Sequence, residues 1–115
     1  MYIARLDEVE KTTSTMEGSK GVRKQIPLSR RDGVPTVSFR VFTVEPGGHT
    51  PFHQHEFEHM NYVIGGEGAL VGGDGEHELR EGDFALVLPR EKHQFRNSSE
   101  DRNLVIICAV PKEYE

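Results

Sequence analysis

Gly47-Gly48-His49-Thr50-Pro51-Phe52-His53-Gln54-His55-Glu56-Phe57-Glu58-His59-Met60-Asn61-Tyr62-Val63-Ile64-Gly65-Gly66-Glu67-Gly68 is the stretch that decides the fold. Three histidines, His53, His55 and His59, fall within seven residues of it. On an extended strand, side chains two apart share a face, so His53, His55, Phe57 and His59 would line one side. A helix would instead bring together positions three and four apart, which separates His53 from His55. Pro51 before the histidines and Tyr62-Val63-Ile64 after them also favour extended chain. The pattern predicts a metal site built on β-structure.

The flanking sequence supplies the strands for such a site. Val37–Val44 is β-branched and aromatic and is expected to stop at Glu45-Pro46-Gly47-Gly48. Ala69–Val71 and Glu76–Arg80 flank Gly72-Gly73-Asp74-Gly75, a hairpin signal. Phe84–Leu88 is almost wholly apolar and reads as a buried strand. His93–Arg96 is a short strand, and Leu104–Val110 is a second buried run ending at Pro111. Val22–Leu28 reads as a strand that Pro27 confines to an edge or to pairing with a second subunit. Residues 1–20 are expected to form a short strand and then a loop. Roughly eight or nine short strands with Gly and Pro turns, and no convincing helix, indicate a closed β-barrel or sandwich.

Composition narrows the function. At 115 residues the chain is expected to form one domain. It divides into an N-terminal segment, 1–35, with edge strands available to pair with a second subunit, and a barrel, 36–115. A formal net charge of −5 argues against a nucleic-acid partner or an acidic membrane surface. The single cysteine, Cys108, excludes an internal disulfide and a cysteine-based zinc knuckle. No secretion signal or bilayer-length apolar run is visible, so a soluble, cytoplasmic protein without a membrane partner is expected.

A fourth histidine can reach the first three. His93 follows the strand Phe84–Leu88 and the turn Pro89-Arg90-Glu91-Lys92, and inward positions of neighbouring strands converge in a small barrel. Four nitrogen ligands suit Mn, Fe, Co, Ni, Cu or Zn and argue against Ca or Mg. The spacing also resembles the cupin family. The first cupin motif, Gly-x5-His-x-His-x3-4-Glu-x6-Gly, is matched by Gly47, His53, His55, His59 and Gly66, and the second by Gly82, His93 and Asn97. Fifteen residues, 67–81, separate the two. Histidine replaces the glutamate at 59, Pro89 is displaced, and Arg90 stands where the second motif has glycine.

The resemblance implies an all-β, single-domain double-stranded β-helix, the jelly-roll barrel. Within the family the chain is similar to small, four-histidine, manganese-binding monocupins. That likeness implies His53, His55, His59 and His93 as ligands to one divalent transition metal per chain, with Mn or Fe favoured, in a homodimer. Neutral imidazoles would leave the ion its full charge, making it a stronger Lewis acid than a centre with one carboxylate. If the ion is octahedral, two positions remain for water, dioxygen or a chelating substrate. The expected function is a metal-dependent oxygenase, dioxygenase-like, acting on a small organic substrate. Non-redox isomerase, lyase or decarboxylase chemistry, and a non-catalytic ligand-binding module, are the alternatives.

Further assignments follow from strand parity. Asn61, Val63 and Phe95 are expected to point inward as pocket walls, with core packing equally compatible. Cys108 is read as a small core residue or a pocket wall. Arg40 lies on a strand whose two faces are mixed; it is expected to be exposed, and would bind an anionic substrate if turned inward. A β-bulge near Phe57 would turn Glu58 toward the metal, and otherwise Glu58 faces solvent or steadies an imidazole. His49 and His77 are expected outside the site, and Asn97 is expected to cap a turn.

Overall fold

The β-branched run after Pro35 forms a strand that does not stop where Pro46-Gly47-Gly48 had suggested. In a computed structural model describing residues 1–115, β-structure continues from Val37 to His49. Gly47 takes a left-handed φ of 75°, and a Cβ on Gly48 would come within 2.6 Å of the Lys20 carbonyl oxygen. The glycines therefore let the strand bend at close quarters and continue.

The strands are β1 (Thr12–Thr13), β2 (Lys20–Leu28), β3 (Val37–His49), β4 (His59–Gly65), β5 (Glu67–Gly72), β6 (Gly75–Arg80), β7 (Phe84–Val87), β8 (His93–Arg96) and β9 (Leu104–Pro111). Three 3-10 turns complete the chain, and there is no α-helix. All pairings are antiparallel, in the order β6-β5-β8-β3-β9-β4-β7, with β2 added to β3 and β1 to β2. The sheet curls into a jelly-roll barrel of one domain, because β3 pairs with β9 along its first half and with β8 at its last residue. Val22, Val44, Val63, Leu79, Phe95, Leu104 and Ile106 fill its interior. No helix is long and apolar enough to cross a membrane.

Two expectations are corrected. Residues 53–59 are not one strand: His53 makes a single bridge to His93, residues 54–58 are irregular with bends at 56 and 57, and regular pairing starts at His59. A flat strand would spread His53 and His59 over roughly 20 Å, too far to share an ion. Phe84–Leu88 is not a buried run, since Phe84, Leu86 and Leu88 are 81%, 56% and 50% exposed. Its inner face is apolar through Ala85 and Val87, but its outer face is apolar as well. β2 pairs along β3 and carries the two-residue β1 on its other side, so it lies close to the sheet edge, and Pro27 sits where the β2–β3 register shifts, so its missing N–H breaks no ladder bond.

Between β4 and β5, Gly66 holds φ of 78°, and an added Cβ would overlap the Asn103 carbonyl oxygen. Gly66→Ala is therefore expected to destabilise the protein by about 2–4 kcal/mol. Urea unfolding measures this, and an unchanged midpoint would contradict the tight turn.

Candidate metal centre

Histidine is the side chain whose neutral ring offers one bare nitrogen once the other is committed to a hydrogen bond. Here that commitment is local. His55 Nδ1 donates to the Phe57 carbonyl at 2.9 Å, and His93 Nδ1 donates to the Glu91 carbonyl at 2.8 Å. His59 Nδ1 lies 3.1 Å from Asn61 Oδ1 and 2.9 Å from Asn61 Nδ2, and donation to the oxygen leaves its Nε2 bare. Such anchors fix both the tautomer and the ring orientation of a metal ligand.

The bare nitrogens point at one place. Ligand atoms of His53, His55 and His93 all lie within 4.8 Å of one another. His59 joins them, with its Nε2 3.2 Å from His93 Nε2 and its ring centre 5.1 Å from that of His55. The backbone supplies the spacing: His53 N–H donates to the His93 carbonyl at 3.1 Å, and His93 N–H returns to the His53 carbonyl at 2.9 Å. Two segments far apart in sequence thus meet at one ladder rung.

The electrostatics agree with this geometry. Burial is the main cause that holds all four imidazoles below the ordinary histidine range, and it brings His59 to about 3. In the anchored tautomers, His59 Nε2 and His93 Nε2 present lone pairs to each other at 3.2 Å. Uncharged rings in that arrangement repel unless a cation lies between them. The donor set therefore fits a transition-metal ion, and His53, His55 and His93 can hold one.

The histidines line a cavity of about 680 Å³, large enough for a small organic molecule. Asn61, Phe95 and Cys108 are among the residues that line it, while Val63 is 1% exposed in the apolar core and is not. Val63 follows His59 inward, but the barrel is already packed at that depth. Arg40, expected at the surface, is half-buried and lines the cavity, because its strand turns Ser38, Arg40 and Phe42 inward. Glu58 is exposed and does not enter the site. His77 pairs with Asp74 at the surface, His49 lies outside the cavity, and Asn97 holds its loop through the Val44 and Arg102 carbonyls.

Lys24, Phe57 and Tyr114 are among the wall residues that escaped the sequence reading. Lys24 belongs to a strand expected at an edge, and nothing in its neighbours separates an inward lysine from a solvated one. Phe57 stacks on His55 at 4.0 Å, and Tyr114 stacks on Phe57 at 4.1 Å. The even spacing from His55 to Phe57 was the available signal for the first, and none existed for the second.

Comparison with known proteins agrees with the fold. The cupin domain family matches residues 40–110. No curated protein matches the chain. A solved structure of the polyketide cyclase RemF from Streptomyces resistomycificus superposes with a TM-score of 0.92 at 25% identity, over 97% of this chain and 80% of that one. A predicted oxalate decarboxylase from Thermotoga maritima superposes with a TM-score of 0.84 at 24% identity, over 96% and 98%. A sugar phosphate isomerase from Silicibacter pomeroyi gives 0.79 at 22%, over 93% and 74%.

A pH dependence follows from the lowered histidines. The unfolded chain takes up protons at these positions near pH 6.5 and the folded chain resists them, so acid favours unfolding. Stability from this source is complete above about pH 6.5 and is lost as pH falls, for His59 down to about 3. Thermal unfolding of metal-free protein across that range should show a falling midpoint, and the metal should dissociate over the same range. A midpoint that rises with acidity contradicts the assignment.

Proposed function

The chain belongs to the cupin family, and from that premise we propose that it is a metal-dependent enzyme whose four histidines hold one divalent transition metal, Mn or Fe favoured. His53, His55, His59 and His93 are its ligands, and the reaction is an oxygenation of a small organic substrate. The observation that carries this reading is the gathering of bare imidazole nitrogens, with three rings anchored through Nδ1, on the wall of a cavity. A bound ion of this class supplies Lewis acidity and, where it is redox-active, electrons for dioxygen chemistry.

The chain's own groups do the rest. Phe42, Phe57 and Phe95 give the cavity apolar walls that exclude water and set the shape of the substrate. Asn61 keeps His59 in the ligand tautomer. Glu58 faces solvent and His49 lies elsewhere, and the carboxylate that does line the wall, Glu115, is engaged by the Ser38 hydroxyl and the Arg30 main-chain N–H, so no free carboxylate or fifth imidazole stands ready as a base. The second reading, a non-redox isomerase, lyase or decarboxylase, is favoured by the neighbours, which are named as a cyclase, a predicted decarboxylase and an isomerase.

Oxygen uptake separates the two. Fe- or Mn-loaded protein is expected to consume dioxygen with its substrate and to stop under nitrogen; turnover that persists without oxygen favours the second reading. His55→Ala is expected to lose the metal and to reduce turnover by at least about 100-fold. Unchanged turnover in that variant, with no metal bound, would falsify both.

We also propose that two copies associate as a homodimer through the outer face of β3, β9, β4 and β7. Supporting this, cross-strand register aligns Phe39, Ala109, Met60 and Leu86 in one row and Val41, Ile107, Tyr62 and Phe84 in the next, with no charged side chain among them. Met60 and Leu86 are more than half exposed in the single chain, an apolar patch that water disfavours. Leu86→Glu is expected to shift the protein from dimer to monomer in analytical ultracentrifugation. A wild type that sediments as a monomer at micromolar concentration counts against the pairing.

A further inference from the structure

Besides the histidines, the cavity wall carries two cationic side chains, Lys24 and Arg40. Register explains their proximity. Lys24 lies opposite Phe42, and Arg40 precedes Phe42 by two residues on the same face, its guanidinium 4.9 Å from the Phe42 ring centre. Their protein partners are neutral or weak. Arg40 Nη2 donates to Cys108 Sγ at 3.1 Å and Nη1 to the Tyr114 carbonyl at 3.4 Å, while Nε is buried with no partner. Lys24 Nζ reaches the main-chain oxygen of Glu115 at 3.5 Å. The Ser19 hydroxyl, on the same wall, is also buried without a partner.

The acidic side chain on this wall is Glu115, and its carboxylate is occupied by the Ser38 hydroxyl and by the Arg30 main-chain N–H at 3.1 Å. Two positive groups therefore face the cavity with unfilled hydrogen-bonding capacity. Burial, and then the neighbouring Arg40 charge, hold the Lys24 ammonium below the ordinary lysine range, against a smaller opposing pull from the Glu115 charge. An anion between the two cations would relieve both effects. The guanidinium fork suits two oxygens of one group, and the lysine adds a point charge.

We propose that Lys24 and Arg40 form an oxyanion subsite beside the histidine cluster, and that the substrate is a small organic anion whose carboxylate or phosphate they hold. This deepens the proposed function and rests on the cavity being the substrate site. The sheet sets the spacing. Arg40 pairs with Cys108 and Cys108 with Asn61, so two strand spacings, about 10 Å, separate the Arg40 backbone from the residue that anchors His59. A short acid or phosphate ester spans that distance, with its anionic end on the subsite and its reacting end toward the histidines.

The test compares three probes of similar size, benzoate, benzamide and phenyl phosphate, by titration calorimetry on metal-free and metal-loaded protein. Wild type is expected to prefer at least one anion over benzamide by about tenfold or more, and the preferred anion identifies the group. Arg40→Gln and Lys24→Gln are each expected to lose most of that preference while binding benzamide unchanged; Arg40→Lys should retain part of it. Thermal unfolding confirms that each variant is folded. Equal affinity of wild type for all three probes, or a preference unchanged in both glutamine variants, overturns the proposal. Metal content measured in parallel separates the readings: an anion preference that persists in protein unable to bind metal supports the subsite and counts against the metal centre alone.

Discussion

Four imidazoles that must stay uncharged and yet sit almost in contact impose the constraint on which this fold is built. Rings whose bare nitrogens approach to 3.2 Å gain nothing from one another, so the surrounding chain has to hold them there. It does so with main-chain carbonyls at Phe57 and Glu91, with the Asn61 amide, and with the bridge between His53 and His93. Each of these anchors lies within two residues of the ring it steadies or on the segment directly opposite. A cation at the focus turns the repulsion into coordination.

Much of this was legible because imidazole chemistry admits few substitutes and because the spacing of His53, His55, His59 and His93 is characteristic. Strand parity turns Asn61 and Phe95 inward, and both line the cavity. It failed where parity is silent. Val63 has the right face but the wrong depth, since alternation reports direction and says nothing about how far the barrel has already closed. Phe84–Leu88 is apolar on both faces, so its composition cannot tell an interior strand from one that presents an apolar outer surface. The convergence of the histidines itself comes from bends at residues 52, 56 and 57, where a regular strand had been expected.

Arg40 shows the same limit from the other side. Its strand alternates mixed residues, and the inward choice is made by packing: Val41 and Thr43 are buried on the opposite face, where the N-terminal segment holds Gln25 beside Val41 and lies near Thr43, which leaves Arg40 and Phe42 for the interior. Lys24 follows because β2 is stapled to β3 in that register. Sheet order, more than any local signal, decides which charges a substrate would meet.

The rung that joins His53 to His93 has a kinetic side. Each residue's amide is bound to the other's carbonyl, so freeing either backbone frees both. The amide protons of these two residues would therefore exchange with solvent together and report local opening of that part of the barrel directly.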